Sequence, residues 1–95
     1  SYEIKKPEPK LVQALKIIKD NEGKLSKKEM ARICLDEKLI TINAENESQA
    51  TFASLDQNII SPLEKKWGFI EVEKIGRTRW IKITDEGINA SEFLI

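Results

Sequence analysis

Histidine is absent from the 95 residues, and cysteine and methionine occur once each. Without histidine the chain lacks the side chain that most often serves as a metal ligand or as an acid and base near neutral pH. The lone cysteine, Cys34, excludes an intrachain disulfide framework and forms no ligand cluster. There is no phosphate-cradling glycine loop, and no pair of carboxylates falls where the pattern implies a cleft. These absences argue against a stand-alone enzyme and call for no catalytic residue, metal or cofactor. No apolar run approaches the ~20 residues of a membrane span, so no membrane partner is expected, and a reducing cytoplasmic setting fits best. Charge of one sign is also missing in sum, since sixteen basic residues balance sixteen acidic ones. The chain therefore has no overall field to attract polyanions.

What is present is a composition of 40% hydrophobic and 34% charged residues, that of an ordered globular domain. At this length a single domain over residues 1–95 buries at most roughly two thirds of its unfolded surface, so the core must be compact. The start at Ser1 and the abrupt end at Leu94 and Ile95 suggest a processed tag scar or a domain cut from a longer protein. Charge is segregated along the chain: residues 1–40 and 64–82 each carry an excess of three positive charges, 41–63 and 83–95 each an excess of three negative. The positive blocks flank a middle segment with no lysine or arginine.

Residues 1–8 read as an N-terminal arm in which Tyr2 and Ile4 alternate as an additional strand would. Pro9 suits a first helical turn, Leu11, Leu15 and Ile18 recur at helical spacing beside Val12 and Ala14, and Gly23 supplies a stop. Ser26 followed by Glu29 forms a capping box for a second helix with Met30, Ile33, Cys34 and Leu35 on its apolar face. After a polar loop, with Asn46 and Gln49 as a cap, Phe52, Leu55, Ile59 and Leu63 form the inward stripe of a third helix. Pro62 interrupts it, and Ser61, Pro62 and Glu64 make a second capping box that predicts a stop and restart there. Trp67 and Gly68 close that segment, with Trp67 as core.

In "EVEKIGRTRWIKIT" a two-residue turn at Gly76 and Arg77, with glycine first as a type II′ turn requires, predicts a hairpin. Ile70 then faces Ile83, Val72 faces Ile81 and Glu71 faces Lys82; only Lys74 opposite Arg79 is repulsive. One hairpin face, with Ile70, Val72, Ile81 and Ile83, covers the core. The other presents Glu71, Glu73, Ile75, Trp80 and Lys82. Thr84 caps a final helix with Asp85 and Glu86 in its first turn, and Ile88, Phe93 and Leu94 point toward an apolar neighbour.

The order helix, helix, helix, hairpin, helix, with "LEKKWGFIE" leading from the third helix into the hairpin and "ITDEG" opening the last, resembles a winged helix-turn-helix domain from Glu8 to Leu94. The resemblance implies an α+β, mainly α fold with a three-helix core, a β-hairpin wing and a C-terminal helix. It implies a prokaryotic DNA-binding domain whose third helix lies in the major groove and whose wing meets the phosphate backbone. Such domains act as transcription regulators or as recognition modules of larger DNA-acting enzymes such as restriction endonucleases. Others serve as dimerisation or protein-docking modules without DNA contact.

Carried onto this chain, the reader is 49–61 and the wing tip 74–79. Gln49, Thr51, Ser54, Gln57 and Asn58 lie on or beside the outward face, and the amides of Gln57 or Asn58 can pair with adenine. Affinity for double-stranded DNA would come from Lys27 and Lys28 at the start of the second helix, Lys65 and Lys66 at the end of the third, and Lys74, Arg77 and Arg79 on the wing. Each lysine can equally be an ordinary solvated side chain. Against DNA stand Glu45, Glu47 and Asp56 in a segment free of basic residues. Trp80 and Ile75, on the outer hairpin face, are the candidates for a protein contact, with "SYEI", a homodimer partner or an adjoining domain as cover.

Overall fold

The computed structural model describes residues 7–40 and 52–94. Helix α1 spans Pro9–Asp20, with Pro9 at its first turn and the Glu8 carbonyl accepting the N–H groups of Leu11 and Val12 at 2.9 and 3.1 Å. Leu11, Ala14, Leu15 and Ile18 are buried along one face. The helix ends where the Gly23 N–H donates to the Ile18 carbonyl at 2.9 Å, with Gly23 at φ +76°. That glycine is doubly required, by its left-handed φ and because a Cβ would lie 2.8 Å from Ile83 Cγ2; its carbonyl accepts the Ile83 N–H at 2.8 Å.

Strand β1, Lys24–Ser26, follows at once and leads into α2, Lys27–Asp36. Ser26 Oγ accepts the Glu29 N–H at 3.2 Å, the cap expected from the Ser-x-x-Glu spacing. Met30, Ala31 and Cys34 are buried and Ile33 is half-buried. Leu35 was expected on this face but is exposed, because one position beyond Cys34 turns a side chain about 100° around the helix.

Helix α3 occupies residues 52–66 without interruption. The expected restart at Ser61 does not occur: Ser61 has helical φ and ψ of −60° and −46°, and its side chain makes no capping bond. The chain instead passes Pro62 by widening into π-helical turns over Asp56–Ile60 and Pro62–Lys66. Bonds to the fifth preceding carbonyl, from Ser61 to Asp56 and from Trp67 to Pro62, replace the regular ladder around a residue with no N–H. Leu55, Ile59 and Leu63 are fully buried as expected, and Ile60 joins them. Phe52 does not: it is 36% exposed. Gly68, at φ +69°, turns the chain out of the helix, and Trp67 is half-buried against Phe69, ring centroids 5.6 Å apart.

Strands β2, Ile70–Ile75, and β3, Thr78–Ile83, form the hairpin in the register read from the sequence, including Glu71 opposite Lys82 and Lys74 opposite Arg79. Gly76 has φ +63°, and Arg77 is not among the residues of positive φ, as a type II′ turn requires. The sheet has a third strand: β1 pairs antiparallel with β3, placing Leu25 opposite Ile81 and Ser26 opposite Trp80, so the order is β1-β3-β2. The strand that flanks β3 is thus Lys24–Ser26; the "SYEI" arm lies outside the described residues. Helix α4, Asp85–Leu94, starts at Thr84, whose Oγ1 accepts the Gly87 N–H at 3.1 Å and donates to the Gly68 carbonyl at 2.7 Å. It packs through small residues. Gly87 is buried because a Cβ would sit 2.1 Å from the Phe69 carbonyl oxygen, and Ser91 is fully buried with its hydroxyl donated to the Ile88 carbonyl. Consequently Ile88 and Phe93, expected inward, face solvent. One core unites the three helices and the sheet through Leu15, Ile18, Met30, Leu55, Ile59, Leu63, Leu25, Ile70 and Ile81.

Candidate nucleic-acid interface

Because α3 buries Leu55, Ile59, Ile60 and Leu63, the opposite ridge through Ala53, Gln57 and Lys65 is exposed, with Ser61 half-buried between them. Clefts open on both sides of the ridge. Toward the wing, a groove of about 490 Å³ is lined from α3 by Asp56, Ser61, Glu64 and Lys65 and from the hairpin by Lys74 and Arg79. Toward α1, a smaller groove of about 280 Å³ is lined by Gln57, Asn58 and Lys66 together with Glu8 and Lys10. A third cleft, between the start of α2 and the wing tip, gathers Lys27, Lys28, Arg77 and Arg79 around Phe52.

The sequence-predicted cations therefore divide. Lys28, Lys65, Lys74, Arg77 and Arg79 are exposed and line the two wing-side clefts. Among the described residues none of these five takes part in an ion pair. Lys66 is exposed on the other flank, its ammonium 5.7 Å from the Trp67 ring centroid. Lys27 differs in kind. Its ammonium donates to Asp56 Oδ2 at 2.7 Å, its side chain is only 12% exposed, and it ties α2 to α3 instead of standing out as a free charge. That pair also disposes of the objection from Asp56, whose carboxylate is neutralised locally.

The amides divide as well. Asn58 Nδ2 donates to both the Ser54 carbonyl and Ser54 Oγ, at 3.0 and 3.2 Å, so its donors and the Ser54 hydroxyl are engaged within the helix. Gln57 is exposed at the centre of the ridge. Gln49 and Thr51 lie outside the described residues.

On the outer hairpin face Trp80 is half-buried, and the Lys24 ammonium sits 5.0 Å from its ring centroid. Lys82 lies directly opposite Lys24 but is held by the Glu73 carboxylate. Their hydrogen bond and charge attraction lower the Glu73 pKa and raise that of Lys82. Ile75 stays exposed, so the outer patch expected from Trp80 and Ile75 shrinks to its tip. The larger exposed apolar residues that sequence periodicity misplaced are Leu35 on α2, Phe52 on α3, and Ile88 and Phe93 on α4. For Ile88 and Phe93 the signal is the buried small-residue face of α4, Gly87 and Ser91, which no apolar periodicity announces.

Helices packed around the α3 core, a capped α2 leading toward it and an antiparallel wing beside it are the arrangement of a winged helix. Residues 10–95 match the DUF6293 C-terminal winged helix domain. The chain belongs to this family. Neither a curated protein nor a solved structure matches it. In winged-helix terms, α2 and α3 are the helix-turn-helix pair and β2 and β3 are the wing. Among the described residues of the winged-helix domain, no group of histidine, cysteine and carboxylate side chains could hold a metal ion, and no helix is long and apolar enough to cross a membrane.

Proposed function

We propose that the domain binds double-stranded DNA, with the α3 ridge entering the major groove and the wing meeting the phosphate backbone. It would act in the cytoplasm as a transcription regulator or as the recognition module of a larger DNA-acting enzyme, without catalytic residues or a cofactor of its own. One observation carries this reading: Lys28, Lys65, Lys74, Arg77 and Arg79 converge on the two clefts along the wing side of α3, although they come from α2, α3 and the two strands and turn of the wing. Gln57, central on the ridge, is the side chain available to pair with the N6 and N7 of adenine. The neutral α3 ridge supplies specificity and the flanking cations supply affinity.

The test is fluorescence anisotropy on duplex DNA over a range of salt concentrations. If all five cations meet phosphates, counterion release predicts a logarithmic salt slope of about −4 to −5. Absence of binding to any duplex, or binding insensitive to salt, refutes the reading. A protein-docking role is the second reading, favoured by Phe93, 88% exposed, and by the exposed Ile88 on the same helix, α4. Under that reading a second copy or an adjoining domain covers α4, and sedimentation reports a dimer abolished by Phe93→Asp.

A further inference from the structure

The third cleft differs from the two grooves beside α3. Both grooves include carboxylates, Asp56 and Glu64 in one and Glu8 in the other. Among the described residues the third has none: its lining is Ser26, Lys27, Lys28, Phe52, Arg77, Thr78 and Arg79. Its volume of about 490 Å³ falls within the roughly 300–1,000 Å³ of small-ligand sites.

Among the described residues Phe52 is the one aromatic side chain in it, and nothing in the helix pattern asks that ring to be exposed. Its spacing to Leu55 would send it to the core, yet it remains 36% accessible. A departure from local pattern of this kind is expected where function competes with packing. The ring is also held. The Lys27 ammonium lies 5.4 Å from its centroid, and Lys27 is itself fixed by its 2.7 Å bond to Asp56. A supported aromatic ring flanked by Lys28, Arg77 and Arg79 is the combination that takes a base by stacking and its neighbouring phosphates by charge.

We infer that this cleft binds an unpaired nucleotide of a single strand, base against Phe52 and phosphates on Lys28, Arg77 and Arg79. A paired base cannot reach Phe52 in this way, because its faces are covered by its neighbours in the duplex stack. The inference shares Lys28, Arg77 and Arg79 with the duplex reading and is separated from it by Phe52, which a stacked base uses and duplex phosphate contacts do not.

Anisotropy titrations would use labelled oligothymidylate and oligouridylate of about ten nucleotides and a blunt duplex, with wild type, Phe52→Ala and Phe52→Trp. Phe52→Ala is expected to weaken single-strand binding on the order of tenfold, while Phe52→Trp retains it and blunt-duplex affinity stays within about twofold. Tighter binding of oligothymidylate assigns the strand as DNA, and of oligouridylate as RNA; either supports the site. Thermal melting of Phe52→Ala near wild type establishes that the fold is intact. The inference is overturned if wild type binds neither oligonucleotide, or if Phe52→Ala weakens strand and duplex equally or leaves both unchanged. Loss of single-strand binding in Arg77→Ala/Arg79→Ala with none in Phe52→Ala would also overturn it, reducing the cleft to a phosphate patch. Failure of duplex binding alone counts against the proposed function and leaves this site standing.

Discussion

Cys34 shows how far burial alone can set the chemistry of one side chain. It is fully buried on the core face of α2, and desolvation pushes its thiol up to about 11, above the ordinary thiol range. Desolvation sets this shift and disfavours the thiolate, so the residue acts as a small apolar filler. Native protein is expected to resist a thiol-selective reagent at pH 8, and protein in denaturant to react within minutes; rapid native labelling would show an accessible sulfur. The same shift couples to stability. Above about pH 9 the unfolded chain releases this proton while the folded chain keeps it, so stability from this group falls as pH rises toward 11. The loss is about 2 to 3 kcal/mol, and Cys34→Ala, though less stable at neutral pH through the lost packing, should show a shallower alkaline decline in denaturation midpoint.

Among the elements, caps separate what helix signals can and cannot predict. Ser26 and Thr84 were legible as N-caps from the residues that follow them, and both side chains accept the expected N–H groups. Ser61 carries an equally good signal before Pro62, yet it stands inside a continuous helix, because Leu55, Ile59 and Leu63 bury on one line and their packing holds the chain helical across the proline. Ser26→Ala and Thr84→Ala are therefore expected to lower unfolding free energy by about 1 kcal/mol each, and Ser61→Ala to change it by less than about 0.5. Chemical denaturation decides; a loss at Ser61 as large as at Ser26 would restore the interrupted helix. The hairpin was legible to the residue because apolar and charged pairs agree on a single register. Strand β1 was not, since three residues between a helix stop and a helix cap carry no alternation to read. The outward turn of Ile88 and Phe93 was equally hidden, because the face that α4 buries includes the small residues Gly87 and Ser91, which contribute nothing to an apolar stripe.

At the scale of the whole molecule, zero net charge conceals an uneven surface. The sequence supplied the basic residues but could not group them, because the grouping depends on how the wing folds beside α3 and on which lysine finds a carboxylate across an interhelical contact. Lys27 and Lys28 are adjacent in sequence and alike in composition, yet one is tied to Asp56 and the other is exposed in the cleft. Salt titration of variants separates the two roles. Arg77→Ala/Arg79→Ala should flatten the logarithmic slope of duplex binding by about two, the loss expected for two phosphate contacts, and Lys28→Ala by about one. Lys27→Ala should leave the slope unchanged and instead lower unfolding free energy by up to about 1 kcal/mol, because what it removes is the link between α2 and α3. If Lys27→Ala flattens the slope as much as Lys28→Ala while stability is unaltered, the Lys27 ammonium leaves Asp56 for a phosphate on binding. The α2 to α3 pair would then be a contact that DNA breaks, and the domain's charge would be redistributed by its ligand, not fixed by its fold.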